Sequence, residues 1–455
     1  MSCHKFPLYI FCTLLFLSLT GCNGVSLDGF LKPGIDDLLH PPKLTAEQTE
    51  ISQALEAAVG SGRAEKLKYP QRGDYLSAFV MYDLDQDGQE EALVFYDDPN
   101  NMEYQTQICI LDNDGTGWKA LQTYPGNGNE VDQIQFVSIS GQGGCDILIG
   151  WQQTNRELKT VNLYNFQNGQ MKSLFSNTYS ELLVTQLTGG RYSDLLLLEA
   201  SASAKPVDAK LASLIPEEGI VDIIGEEYRL TNAFTSYTEV KYGLLSDRTS
   251  AVFVDGQIGG DMYCTDVLYY DKEKKQLTSH LLYDVDDYSE KTIRALEITC
   301  RDIDGDGIME VPMPEPLPGY EENQEDSIYL INFSCLDSNG ISRLTPVAVN
   351  LEAKYMLKFP LTWRDKVTVT QEDKSNEWRF WVYNGSISQL RDELLRIKVY
   401  SAKDYHDKFD ADTYRIIKTK GNTEYYAYIP PKTEGTEGTE MSITYAQLEE
   451  MILFL

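Results

Sequence analysis

Met81-Tyr-Asp-Leu-Asp-Gln-Asp-Gly-Gln-Glu-Glu-Ala-Leu-Val-Phe-Tyr96 decides how the rest of the chain reads. Asp83, Asp85 and Asp87 stand at alternate places, Gly88 is sixth in the frame that Asp83 opens, and Glu91 is ninth. Three carboxylates on alternate residues converge only where the backbone curls, and the glycine supplies the turn. The Gln89 carbonyl is a further donor, and Glu91 closes the cage with one or both of its oxygens. Residues 92–96 follow as an apolar run of strand formers, too short for a helix. Hard oxygen donors at this charge density suit calcium and not zinc or copper.

The frame recurs in Asp302-Ile-Asp-Gly-Asp-Gly-Ile-Met-Glu310, which places Asp302, Asp304, Asp306, Gly307 and Glu310 at the same five positions and continues into Val311. Neither loop is an EF-hand, because the closing carboxylate comes at position nine instead of twelve and no helix pair flanks it. A solvated acidic turn is the plainer alternative, since Asp and Gly dominate turns. Two independent matches, each leading into a strand-like run, argue against it.

Working outward, 455 residues suffice for two or three domains with sizeable cores, and 42% hydrophobic with 24% charged residues is the balance of a globular protein. The charge is unusual. Seventy acids against 39 bases leave −31, a field that argues against nucleic acid or anionic lipid as a partner. Bound cations account for part of the excess, and solvated surface suited to an extracellular setting accounts for the rest.

At the N-terminus, Lys5 precedes an apolar stretch, 6–19, too short to span a membrane comfortably. It ends in Leu19-Thr20-Gly21-Cys22, which resembles a bacterial lipobox; a cleavable signal without a lipid is the alternative. The resemblance implies a signal peptide over 1–22, lipidation at Cys22, and an extracytoplasmic protein held to the bacterial cell membrane by that lipid. Residues 23–44, with their glycines and prolines, read as a tether. Of the cysteines, Cys3 and Cys12 leave with the signal. Cys109, Cys145, Cys264, Cys300 and Cys335 form no C-x-x-C pair and read as small buried residues, with one disulfide left open.

Residues 45–59 carry a short helical pattern, capped by Thr45 and with Ile51, Leu55 and Val59 on one face. From about Lys66 to Asn350 the chain becomes short apolar runs punctuated by Asp, Asn and Gly. Worn copies of the frame lie between the two strong ones. Ser138-Ile-Ser-Gly-Gln-Gly-Gly-Cys-Asp146 keeps oxygen side chains at one, three and five, and a carboxylate at nine. Gln186-Leu-Thr-Gly-Gly-Arg-Tyr-Ser-Asp194 keeps Thr188, the glycines and Asp194. The stretch 244–255 has only the turn-then-strand rhythm. The spacing is about 48 to 60 residues, the size of a four-stranded unit. Asp112 and Asp114 lack a closing carboxylate and belong to a hairpin whose second strand starts at Trp118.

This spacing and loop chemistry resemble the FG-GAP or VCBS repeats of integrin-α-like β-propellers, strongly at 83–91 and 302–310 and more weakly at the other three loops. The resemblance implies a mainly β fold: a propeller with structural calcium within 45–350. The loops at 138 and 186 lack most carboxylates and are assigned no ion. From 351 to 455 the texture changes. Strands are expected at 367–370, 378–383, 395–400, 413–419 and 424–429, helices at 388–394 and 444–454, and a flexible Thr-Glu-Gly loop at 431–440. This C-terminal α+β domain resembles those of secreted bacterial lipoproteins, a likeness that implies no activity.

Signals for an enzyme are sparse. His40, His280 and His406 form no ligand pair, and no nucleophile elbow, P-loop or dinucleotide fingerprint occurs. Tyr405-His406-Asp407 reads as surface, and Arg72-Gly73-Asp74 as a chance match to an adhesion tripeptide. Two functions are weighed. One is a surface-anchored, non-catalytic binder of a protein or glycan partner with calcium-stabilised sheets. The other is a cell-envelope hydrolase of glycan or peptidoglycan acting through carboxylates. The missing nucleophile, zinc set or specific acid/base pair favours the binder.

Overall fold

Short runs of β-branched, aromatic and leucine side chains between Asp and Gly turns form strands that pair with their neighbours in sequence. The computed structural model describes residues 44–455 apart from 65, 99–105, 155, 204, 283–286, 322–326, 338, 372–375, 402–412 and 432–438. The signal peptide with Cys22, the tether up to 43, His40, the Tyr405-His406-Asp407 triplet and most of the 431–440 loop lie outside the described residues. Among the described residues the chain is mainly β, with six antiparallel sheets.

The first sheet comprises Phe79–Tyr82, Glu91–Asp97, Thr106–Asn113 and Trp118–Pro125, with Leu67–Lys68 along the end of Glu91–Asp97. The second runs Glu130–Val137, Cys145–Gln152, Lys159–Gln167 and Gln170–Tyr179. The third runs Glu181–Thr185, Asp194–Leu198, Asp208–Ile215 and Ile220–Ile223, and Tyr228–Arg229 also pairs with Asp208–Ile215. The fourth runs Ser236–Leu244, Ser250–Ile258, Met262–Asp271 and Gln276–Ser279. In each of these four sheets the frame, or its worn copy, joins the first strand to the second. In the fifth, the 302–310 loop is spanned by a lone bridge between Arg301 and Glu310, after which Val311–Pro316, Tyr329–Asp337, Gly340–Asn350 and Tyr355–Lys358 pair in turn. The sixth has the order Val367–Gln371, Glu377–Val382, Glu393–Ser401, Thr423–Tyr428 and Arg415–Lys420.

The second strand of each of the first four sheets is buried on both faces, and in the second, third and fourth sheets alternation sends its side chains to two different cores. Ile147 and Ile149 pack with Leu93 and Phe95 of the first sheet, whereas Leu148 packs with Leu195 and Leu197 of the third. Leu196 and Leu198 turn the other way, onto Val252 and Val254 of the fourth. Ala251 and Phe253 meet Val311 and Met313 of the fifth. The fifth meets the sixth through Leu330, Tyr355, Trp363 and Phe380. Each sheet therefore shares a core with the next, and each buried Leu or Phe contributes about 2 kcal/mol of burial. The hairpin between Thr106–Asn113 and Trp118–Pro125 turns through Asp114, as its sequence requires.

The chain divides into two compact units, 1–53 and 54–455. Of the first, residues 44–53 are described; they hold the start of the helix Ala46–Val59, where Thr45 and Gln48 exchange backbone-to-side-chain hydrogen bonds as a capping box. Within the second unit, 351–455 supplies the sixth sheet, Tyr355–Lys358, a helix Tyr445–Met451 capped by Thr444, and Ile452–Phe454, which pairs with Tyr355–Lys358.

Two helix expectations need correction here. Residues 388–394 hold only a 3-10 turn, Ile387–Gln389, before the strand Glu393–Ser401. Seven helix-forming residues cannot nucleate against a neighbour, Glu377–Val382, that offers a ladder and a core for Leu395 and Ile397. The C-terminal helix ends at Met451 for the same reason, because the last residues complete an edge of the fifth sheet. Among the described residues, no helix is long and apolar enough to cross a membrane.

Candidate metal centres

The 83–91 loop is built from its glycine outward. Gly88 has φ 92°, and Gln86, two residues earlier, is also left-handed at φ 65°. The double reversal turns backbone N–H groups onto the side chains of the same loop. Asp83 accepts from the N–H of Asp87 (3.1 Å) and of Gly88 (3.1 Å), and Asp85 accepts from that of Asp87 (3.1 Å). Leu84 is buried beneath the loop in the core between the first and second sheets. Its N–H donates to Glu91 Oε2 at 2.6 Å, which ties the second position to the ninth.

Asp83, Asp85 and Glu91 each present an oxygen within 4.8 Å of the others. An ion at about 2.4 Å from each ligand can span oxygens up to about 4.8 Å apart, so the three suit a calcium-sized cation. Asp87 is outside this group; its Oδ1 accepts from the Gln89 N–H at 2.8 Å. Burial pushes the Glu91 carboxyl up to about 7; the Leu84 N–H opposes this, and the Asp85 carboxylate adds to it. A buried acid facing other acids is the electrostatic profile of a site suited to a cation.

The 302–310 loop repeats the trace, with Gly305 and Gly307 left-handed. Asp302 accepts from Gly305, Asp306 and Gly307, and the Ile303 N–H donates to Glu310 Oε2 at 2.8 Å. All four acids, Asp302, Asp304, Asp306 and Glu310, bring oxygens within 4.8 Å of one another. Glu310 is also held above its ordinary value, by burial first and then by Asp304 and Asp302. This site has a resident cation of its own. Arg343 Nη2 lies 2.7 Å from Asp306, 3.2 Å from Asp304 and 3.5 Å from Glu310.

The worn loops follow the same plan with other chemistry. At 138–146, Asp146 accepts from the N–H of Ile139 (2.9 Å) and of Ser140 (2.7 Å), and from the Ser140 hydroxyl (2.7 Å). At 186–194, Asp194 accepts from the Thr188 N–H and hydroxyl, both at 2.9 Å. Neither loop gathers three metal-ligating groups among the described residues. A signal that the acidic pattern does not include runs through all five loops. The second position is apolar and buried in each: Leu84, Ile139, Leu187, Leu245 and Ile303.

The remaining sequence candidates fall elsewhere. The Arg72 guanidinium is committed within the protein, to Asp132 at 2.9 Å and to both Glu181 oxygens at 2.7 and 2.5 Å, so Arg72-Gly73-Asp74 does not present a free arginine. His280 is buried against the Tyr269 ring, at 3.8 Å between centroids, and burial lowers its pKa to about 4. Cys109, Cys145, Cys264, Cys300 and Cys335 are all free and buried. Asp112 and Asp114 join no metal-ligating group.

No family model matches the chain, and no curated protein does. Among solved structures it is similar to the exotype rhamnogalacturonan lyase YesX, at 11% identity and a TM-score of 0.24 over 59% of this chain and 61% of that one. It is also similar to TolB from Acinetobacter baumannii, at 12% identity and 0.22 over 65% and 61%. Chaetomium thermophilum Sqt1, bound to the N-terminus of ribosomal protein L10, gives 12% identity and 0.30 over 67% and 83%. The chain spans about 61% of the length of the first two. Scores this low carry no argument about what the chain does.

Proposed function

We propose that this chain is a surface-anchored, non-catalytic lipoprotein whose successive sheets are blades of a β-propeller of the FG-GAP or VCBS kind, stabilised by calcium. Asp83, Asp85 and Glu91 hold one ion, with Asp87 a charge beside it; Asp302, Asp304, Asp306 and Glu310 hold the other. The propeller, followed by an α+β region over 351–455, presents a face to a protein or glycan partner outside the cytoplasm. Lipid at Cys22 keeps it at the membrane.

The observation that carries this reading is the position of the two acidic loops. Each leads directly into a strand of its sheet, and each converges carboxylates on a space of calcium size. Successive antiparallel sheets that share cores in chain order support the blade reading. The hydrolase alternative draws no support from three other buried carboxylates, Asp132, Asp255 and Glu377. Asp132 is taken by Arg72, Lys159 and Tyr179. Asp255 is taken by Arg294 and Thr265, and Glu377 by Arg379 and Tyr414. A carboxylate saturated with donors is poorly placed to move a substrate proton.

The test is thermal unfolding of the full chain in detergent, in EDTA and across a calcium titration, beside Asp85→Asn and Asp304→Asn. At a calcium concentration of about 100 times Kd, each site adds about 2.7 kcal/mol. A melting temperature that rises with calcium, and rises less in each variant, supports the reading. An unchanged curve with no calcium bound by calorimetry reduces both loops to acidic turns.

A further inference from the structure

The two acidic loops share a backbone trace and a closing glutamate, yet only one has a base inside it. Among the described residues, no lysine or arginine pairs with Asp83, Asp85, Asp87 or Glu91. In the 302–310 loop a single nitrogen, Arg343 Nη2, reaches three of the four acids, at 2.7, 3.2 and 3.5 Å. The same nitrogen contacts Cys335 Sγ at 3.3 Å, and Cys335 is the cross-strand partner of Arg343. Its position is therefore set by the fifth sheet itself, 33 residues beyond the loop.

We propose that Arg343 is a built-in counter-cation of the 302–310 loop, a latch that must leave before calcium can be fully coordinated there. This inference rests on the calcium reading of the two loops. A guanidinium nitrogen that close to the oxygens of Asp304, Asp306 and Glu310 overlaps the space a divalent ion needs, and two cations in one cage repel. The latch has a way out. Arg343 is 47% exposed while Glu310 is fully buried, so a rotamer change returns the guanidinium to water and leaves the acids in place. The 83–91 loop is then the standing calcium site, and the 302–310 loop is an exchanging one whose charge Arg343 partly offsets when calcium is scarce.

The latch lowers apparent calcium affinity by the fraction of time it is open. Charge-assisted hydrogen bonds of this kind make that roughly ten- to a hundredfold. The experiment uses the full chain in detergent with the first loop silenced by Asp83→Asn and Asp85→Asn, so that calorimetric titration with calcium chloride reads the second loop alone. Arg343→Gln, which removes the charge and leaves a shorter polar side chain, is expected to tighten binding by roughly ten- to a hundredfold, and Arg343→Lys by less. In EDTA, Arg343→Gln is expected to melt below its parent, and in saturating calcium at or above it. That change of sign is not expected of a residue that merely packs. Equal calcium affinity in the parent and in Arg343→Gln overturns the latch and leaves the calcium reading standing. Absence of calcium binding both here and in the complementary chain carrying Asp302→Asn and Asp304→Asn overturns the calcium reading, and the latch with it.

Discussion

The loops at 83–91 and 138–146 join equivalent strands of adjacent sheets and close by the same bond, yet they meet the cost of a buried carboxylate differently. In both, the ninth residue is almost fully buried, Glu91 at 2% and Asp146 at 5%, and accepts the N–H of the apolar second residue. The third residue makes the difference. In one loop it is Asp85, a second negative charge facing Glu91. In the other it is Ser140, whose hydroxyl donates to Asp146 at 2.7 Å. The loops at 186–194 and 302–310 repeat the contrast with Thr188 and Asp304. A hydroxyl at the third place lets the loop close by itself; a carboxylate there leaves charge for a cation to neutralise. On the proposed calcium reading, the ion is an addition to a self-closing turn and not the basis of the turn. The closing residue follows suit, a long Glu in the acidic loops and a short Asp in the hydroxyl loops.

The largest effect expected from this comparison falls in a loop to which no ion is assigned. Asp146 also accepts from Asn165 Nδ2 at 2.9 Å, so Asp146→Ala strands four donors at the base of the second sheet. A loss of about 3–5 kcal/mol is expected, equal in EDTA and in calcium. Denaturant titration under both conditions measures it. A loss that shrinks when calcium is added would break the division between loop classes.

A smaller effect, of opposite character, belongs to Glu91. Its carboxyl is raised to about 7 in the metal-free protein, above its ordinary value, because burial and Asp85 disfavour the charge. The folded metal-free state therefore holds this proton more tightly than the unfolded chain does. The stability it contributes is present at low pH and is lost as pH rises through about 7. Calcium takes the ionised form, so affinity at 83–91 should climb with pH up to about 7 and flatten above it. Loading at pH 6 should release a proton, and loading at pH 8 should not. Calorimetry in two buffers of different ionisation enthalpy reads the proton directly. Glu91→Gln should abolish the release and raise metal-free stability at pH 8.

Much of this contrast was legible in the sequence, and the missing parts are missing for identifiable reasons. The Asp-x-Asp-x-Asp-Gly frame announces the acidic loops because its ligands are local, within nine residues. The strands beyond them announce themselves as apolar runs. Arg343 was invisible to that logic, since only the pairing of Tyr329–Asp337 with Gly340–Asn350 brings it back over the loop. Arg72 was hidden in the same way, by partners 60 and 109 residues away. The left-handed Gln86 was hidden because its place is taken by glycine in the other three framed loops, at Gly141, Gly189 and Gly305. At 388–394 the helix expected from the sequence does not form, because pairing with a neighbouring strand overrules the local pattern.

The smallest expected effect separates the two acidic loops from each other. Asp87 and Asp306 occupy the same fifth position, and the sequence treats them as equivalent ligands. The structure gathers Asp306 with the other three acids but leaves Asp87 out; in both, Oδ1 accepts the N–H two residues on, and only Asp306 has its second oxygen drawn in by Arg343. Asparagine retains an oxygen that can accept that bond, so Asp87→Asn keeps the turn and removes only a charge near the ion. Affinity at 83–91 should fall by less than about tenfold, the effect of one exposed charge at a few ångströms. Asp85→Asn, which removes a gathered ligand, should cost more. If Asp87→Asn abolishes binding as Asp85→Asn does, the loop must tighten around calcium and draw Asp87 in. The first cage would then be assembled by its ion, whereas the second is already assembled around Arg343.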